Sequence, residues 1–180
     1  HLVTDTSSAG LVVEIFSGLM TINTDLQVVT DLAESYDISE DKKTYTFYIR
    51  KNAKFHNGRE ITASDVKYSI ERAADPKTLS PVADTYLIDI VGVKDKLNGK
   101  AANVSGVKVI DKYTVQITID APKVYFLAKL TYPTAFVVDQ ENITSGGKRW
   151  TDKPNGTGPF KLSEYAIGDI IILERHDEFY

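Results

Sequence analysis

Apolar positions along the chain alternate between two spacings, 3.6 and 2, and the switch from one to the other sets out the elements. Leu11, Val12, Ile15, Phe16 and Leu19 recur at helical spacing and predict a helix over Ala9 to Leu19. Ser7 or Ser8 is its N-cap and Gly18 its stop. Short extended pieces come next, around Met20 and Ile22 and at Val28-Val29. Glu34 to Ser39 reads as a strand, 39–43 as a polar turn, and Thr44 to Arg50 as its partner. Strict alternation puts Tyr45, Phe47 and Ile49 on one face and Thr44, Thr46, Tyr48 and Arg50 on the other. Asn57-Gly58 marks a turn.

Thr62 followed by Asp65 has the form of a capping box, opening a helix to Ala73 or Ala74 with Val66, Ile70 and Ala73 buried. Asp75-Pro76 ends it. Ser80-Pro81 begins another helical stretch, Leu87 to Leu97 is helical in part, and Asn98-Gly99 stops it. Val107 to Ile110 and Tyr113 to Ile119 form a second hairpin about Asp111-Lys112, the same local solution as the first. Then come a helix over Pro122 to Leu130, a strand over Ala135 to Val138, and a short helix or loop over Glu141 to Trp150. A Pro/Gly loop from Lys153 to Pro159 leads into strands at Phe160 to Tyr165 and Ile170 to Leu173. Antiparallel hairpins interleaved with helices, without regular βαβ alternation, make an α+β (mixed α/β) fold.

Composition narrows what such a fold can do. The 180 residues suffice for one domain or two small ones, and a net charge of −4 without a basic cluster argues against nucleic acid. Absence of cysteine removes disulfides, thiolate metal sites and cysteine nucleophiles together. No apolar run is long enough to cross a bilayer, and no signal peptide is visible at His1, so the chain begins after any export signal or never had one. Both ends read as interior to a longer polypeptide, and Phe179 and Tyr180 call for a surface to bury against.

Three stretches together resemble the peptide- and nickel-type solute-binding proteins of ABC importers. They are 31–36 with 45–50 and 54–58; 61–72; and Gly156-Thr157-Gly158-Pro159-Phe160-Lys161-Leu162 with Gly168-Asp169 and 173–175. The resemblance implies a bilobed protein of the type II periplasmic-binding-protein kind, closing on its ligand like a jaw. This chain would supply the N-terminal part: 1–17 starting the main lobe, 18–142 forming a smaller α+β subdomain, and 143–180 returning to the main lobe. It further implies capture of a peptide outside the cytoplasm and delivery to permease subunits, as a monomeric, periplasmic or membrane-anchored extracellular protein with no cofactor and no catalysis. Nickel chelates, haem and oligosaccharides are the family's other ligands. By the same resemblance Val3, Thr4, Asp5 and Thr6 line the cleft, while Val82 stands where an oligopeptide binder has a ligand-touching tyrosine. The second lobe's ligand contacts lie beyond this chain.

Several residues carry two readings. Asp5, between Thr4 and Thr6, either caps the first helix or meets a ligand amine. Gly156-Thr157-Gly158 is either a tight turn or a small nest whose successive N–H groups converge on an acceptor, with Thr157 near the cleft. It is not a phosphate loop, because no Lys-Ser or Lys-Thr comes after it. His1, His56 and His176 have no metal-ligand spacing, and His56, in a turn, reads as solvated. Stretch 33–58 reads as scaffold, with Arg50 capping or pairing. Asn103, Asn142 and Asn155 match the glycosylation pattern by chance. A hydrolase is the rival reading, but the chain has no GxSxG elbow and its histidines lie in unrelated contexts.

Overall fold

The computed structural model describes residues 6–166 and 169–180. Helix α1 (Thr6–Ile15) is followed by the small antiparallel pair β1 (Met20–Ile22) and β2 (Val28–Thr30). The main sheet combines β3 (Ala33–Ile38), β4 (Thr44–Ile49), β5 (Val107–Asp111) and β6 (Thr114–Thr118) in the order β3-β4-β6-β5, antiparallel throughout. The two hairpins are thus joined through their second strands. Tyr45 faces Ile117 and Phe47 faces Val115 across that seam, and all four are buried. The opposite face keeps the predicted polar set: Thr44 lies against Thr118, Gln116 reaches Thr46, and Tyr48 donates to Asp37 at 2.8 Å.

Helix α2 (Ala63–Ala73) packs on β5 and β6 with Val66, Ile70 and Ala73 buried, as the spacing predicts. Its N-terminus is fixed by the Asp65 carboxylate, which accepts from the Thr62 backbone N–H at 2.8 Å and its hydroxyl at 2.7 Å. The short helices α3 (Ala83–Tyr86), α4 (Val93–Leu97) and α5 (Phe126–Lys129) come later in the chain, then α6 (Gln140–Gly146) leads to the hairpin β7 (Phe160–Ala166) and β8 (Ile170–Arg175). One apolar cluster runs from Leu19 to Val137 around Phe47, Phe55, Ile70 and Phe126. A second gathers Ile15, Phe16, Phe136 and Val138, with Trp150, Leu162 and Leu173 against them.

Four elements depart from the sequence reading. Helix α1 starts three residues before Ala9 and ends at Ile15 rather than at Gly18. The reason is competition: the Ile15 carbonyl and the Ser17 N–H are taken by the 155–158 loop, so the backbone leaves the helix there. Ala135 to Val138 is no strand; residues 133–135 form a 3₁₀ turn, and residues 136–138 are buried chain that joins no ladder. Two of their amides go to single partners, Val137 to the Ser17 carbonyl at 2.9 Å and Val138 to Ser69 Oγ at 2.9 Å. The helix after Pro122 is a single turn, Phe126–Lys129. The stretch after Ser80-Pro81 turns helical only at Ala83, with Val82 as its N-cap residue.

Candidate functional site

The described part of the candidate site is built where α1 ends. Loop 155–158 crosses that end and is stitched to it by backbone. The N–H groups of Thr157 and Gly158 both donate to the Ile15 carbonyl, at 3.0 and 2.8 Å. Thr157 is fully buried, and its Oγ1 accepts from the Ser17 N–H at 2.7 Å. Successive N–H groups therefore do converge on one acceptor, and that acceptor is a carbonyl of the chain itself. Gly156 leaves no space for a side chain: an added Cβ would stand 1.9 Å from the Ile15 oxygen.

Replacing Thr157 by valine keeps the shape but leaves the buried Ser17 N–H without its partner. The expected loss is about 1–3 kcal/mol of stability. Serine at 157 should restore part of it, as read by urea unfolding of the full-length protein, and a valine variant as stable as wild type would refute this role.

Asn155 anchors the loop on three sides. Its Nδ2 donates to Asp139 Oδ2 at 2.6 Å, its Oδ1 accepts from the Asn57 N–H at 2.9 Å, and its own N–H donates to Asn142 Oδ1 at 3.1 Å. Asp139 also caps α6 through the Glu141 N–H at 3.1 Å. Arg59 then bridges two buried carboxylates, its Nη2 donating to Asp65 Oδ1 and to Asp139 Oδ1, both at 2.8 Å, while its guanidinium stacks on Phe55. The side chains of Asp65 and Asp139 are 9% and 2% exposed, and the bridge sets a positive charge between them.

His56 is half-buried and bonded at both ring nitrogens, which corrects the reading of a freely solvated turn residue. Its Nδ1 accepts from the Gly156 N–H at 3.3 Å, which leaves the ring proton on Nε2, 3.0 Å from the Gly158 carbonyl it serves. His176 lies edge-on to it with ring centroids 4.9 Å apart, is 4% exposed, and has no hydrogen-bond partner at Nδ1. Burial pushes the His56 imidazole down to about 4, against the pull of the Gly158 carbonyl, and His176 and Lys161 add to the lowering. Burial, with Lys161, also lowers His176.

Beside this stitch an open polar groove of about 560 Å³ is lined by His56, Asn57, Asn142, Asn155, Lys153 and Lys161 among others. A smaller apolar one of about 280 Å³ lies between α1 and the hairpin, against Leu11, Val12, Trp150 and Ile171. Among the described residues, no group of three or more His, Asp or Glu side chains is placed to hold a metal ion.

Of the residues singled out from sequence, Val3, Thr4 and Asp5 lie outside the described residues, as does His1. Thr6 is the first residue of α1. Val82 is half-buried at the start of α3, and Thr157 sits on α1, so these two belong to different elements. The sequence reading missed Arg59, Asp139, Asn155 and His176. A sign was available for Asp139, which precedes Glu141 and a polar run as a helix cap does. None was available for Arg59 or His176, whose partners come from distant parts of the chain.

The family model for bacterial extracellular solute-binding proteins, family 5 Middle, matches residues 27–180. The chain is 33% identical over 185 residues to the periplasmic oligopeptide-binding protein OppA of Escherichia coli, covering 100% of this chain and 34% of OppA. It is 34% identical over 171 residues to the dipeptide-binding protein DppE of Bacillus subtilis, covering 92% of this chain and 31% of DppE. The fold superposes on Haemophilus influenzae OppA in complex with RPPGFSPFR at a TM-score of 0.93 and 29% identity, over 100% of this chain and 36% of that one. The chain thus spans about a third of the length of these relatives.

Proposed function

This chain belongs to the bacterial extracellular solute-binding proteins of family 5, and from that we propose that it forms part of the solute-binding component of an ABC importer that takes a peptide outside the cytoplasm. The observation that carries the reading is the likeness over all or nearly all of the chain to OppA and DppE, which bind an oligopeptide and a dipeptide by name. In the whole protein, residues 1–17 and 143–180 belong to the main lobe and 18–142 to a smaller subdomain. The division is supported by the first apolar cluster, filled largely by 19–137, while the second lies at the seam, joining Ile15 and Phe16 to Phe136 and Val138 with Leu162 and Leu173 of the β7–β8 hairpin against them. The peptide lies between lobes, its main chain read by backbone donors and acceptors with water filling the side-chain pockets. The complex then docks on membrane permease subunits. Val3 to Thr6 and Val82 remain the proposed ligand contacts of this chain, together with the rigid platform that Thr157 makes on α1.

The test is mass spectrometry of whatever leaves the full-length protein on denaturation after native purification. Peptides of related length, rebinding in calorimetry and recovered uncleaved, are the expected result. A nickel chelate, haem or oligosaccharide in their place would replace the ligand class, and cleavage of the offered peptide would end the binding-only reading.

A further inference from the structure

Two imidazoles meet where the 53–61 segment, loop 155–158 and the end of β8 come together. His56 is bonded on both nitrogens to the loop, accepting at Nδ1 from Gly156 and serving the Gly158 carbonyl from Nε2. The same turn is tied to the loop twice more, by the His56 N–H to the Gly156 carbonyl at 2.9 Å and by the Asn57 N–H to Asn155 Oδ1 at 2.9 Å. His176 closes the far side, its ring edge-on to His56 and its own N–H donating to the Pro159 carbonyl at 2.7 Å.

We propose that the His56–His176 pair is an acid-released latch, holding loop 155–158 to the 53–61 segment while both rings are neutral and letting go when either takes a proton. The reason is in the bonding. A proton on His56 Nδ1 would set an N–H against the Gly156 N–H, so the acceptor of that bond is lost and the loop must move. A proton on His176 would place a charge in a site 4% exposed, 4.9 Å from a second imidazole.

The surrounding charges sharpen the response. Lys161 on β7 opposes a charge on either ring, and Asp177 and Glu178 after β8 favour one on His176. Glu178 is shared with Lys54 at 3.2 Å, on the same segment as His56 and Arg59. From α1 come the Ile15 carbonyl under the loop and Glu14, whose carbonyl borders Gly158. Both imidazoles have folded-state values lowered below their unfolded ones. The latch is therefore fully closed above about pH 6.5 and weakens as the pH falls from there toward about 4, because the released state binds protons that the closed state refuses.

The experiment is hydrogen exchange of the full-length protein at pH 7.5 and pH 5, corrected for intrinsic rates. Protection over 54–58 and 155–158 should fall together by roughly tenfold or more at pH 5 while α2 keeps its own. His56→Gln should shrink that pH dependence, and His56→Gln together with His176→Gln should remove it. Should the variants not fold, the imidazole ¹⁵N spectrum of the wild type decides: a His56 ring neutral at pH 6, with its proton on Nε2. Equal protection at both pH values, opening of α2 together with the loop, or a His56 ring that titrates at its ordinary value would each overturn the latch.

Discussion

Gly156→Ala is expected to cost the full-length protein about 4 kcal/mol, among the largest losses available to a single methyl group. The new Cβ would fall 1.9 Å from the Ile15 oxygen, 2.8 Å from Ile15 Cγ2 and 2.9 Å from the His56 ring. The oxygen cannot retreat, since it receives two N–H groups from the loop itself. Either the loop lifts, losing Thr157 from Ser17 and Asn155 from Asp139, or α1 moves. A fall in the urea midpoint at unchanged slope is the readout. Gly10→Ala is the control: nothing lies within 4 Å of its Cβ, and in a helix alanine should be neutral or stabilising by up to about 1 kcal/mol. A Gly156→Ala protein within about 1 kcal/mol of wild type would mean that the stitch is soft.

The second large effect is expected at Arg59. Arg59→Met keeps the stem over Phe55 but takes the bridging charge from between Asp65 and Asp139. Two mostly buried carboxylates then face each other uncompensated, at an expected cost of about 3 kcal/mol near neutral pH. Asp65 keeps its Thr62 donors and Asp139 its Asn155 and Glu141 donors, so the site is weakened rather than emptied. Adding Asp139→Asn should recover part of the loss, giving a coupling above about 1 kcal/mol in a double-mutant cycle. Strict additivity of the two changes would show that the bridge contributes little.

Legibility in the chain divides along the range of the forces involved. Period-2 alternation at 44–50 and 113–119, with a polar turn before each, placed the two hairpins and the inward face of β4, because that strand's burial is written in its own residues. Thr62 and Asp65 placed the start of α2 for the same reason. The failures share another cause. Ala135 to Val138 is apolar enough for a strand, yet its hydrogen bonds go to Ser17 and Ser69, and nothing local could announce that. Helix α1 stops early because a loop 140 residues away takes its last groups. His56 sits in a turn, which suggests solvent, and is covered by His176 from the far end of the chain. Family membership was legible because it resides in the locally coded segments. The candidate site was not, because Arg59, Asn155 and His176, and Asp139 beyond its local cap of α6, find their partners only after the chain has closed on itself.

The chain leaves α1 at Ser17 and comes back at Val137, where the Val137 N–H donates to the Ser17 carbonyl at 2.9 Å. Departure and return are therefore neighbours, and the stretch between them encloses an apolar core of its own. Such a stretch can lengthen, shorten or be exchanged for another without altering the spacing it leaves behind. Grafting between relatives should be cleanest at that doorway, cut at Ser17 and Val137, where one backbone pair already joins the two ends.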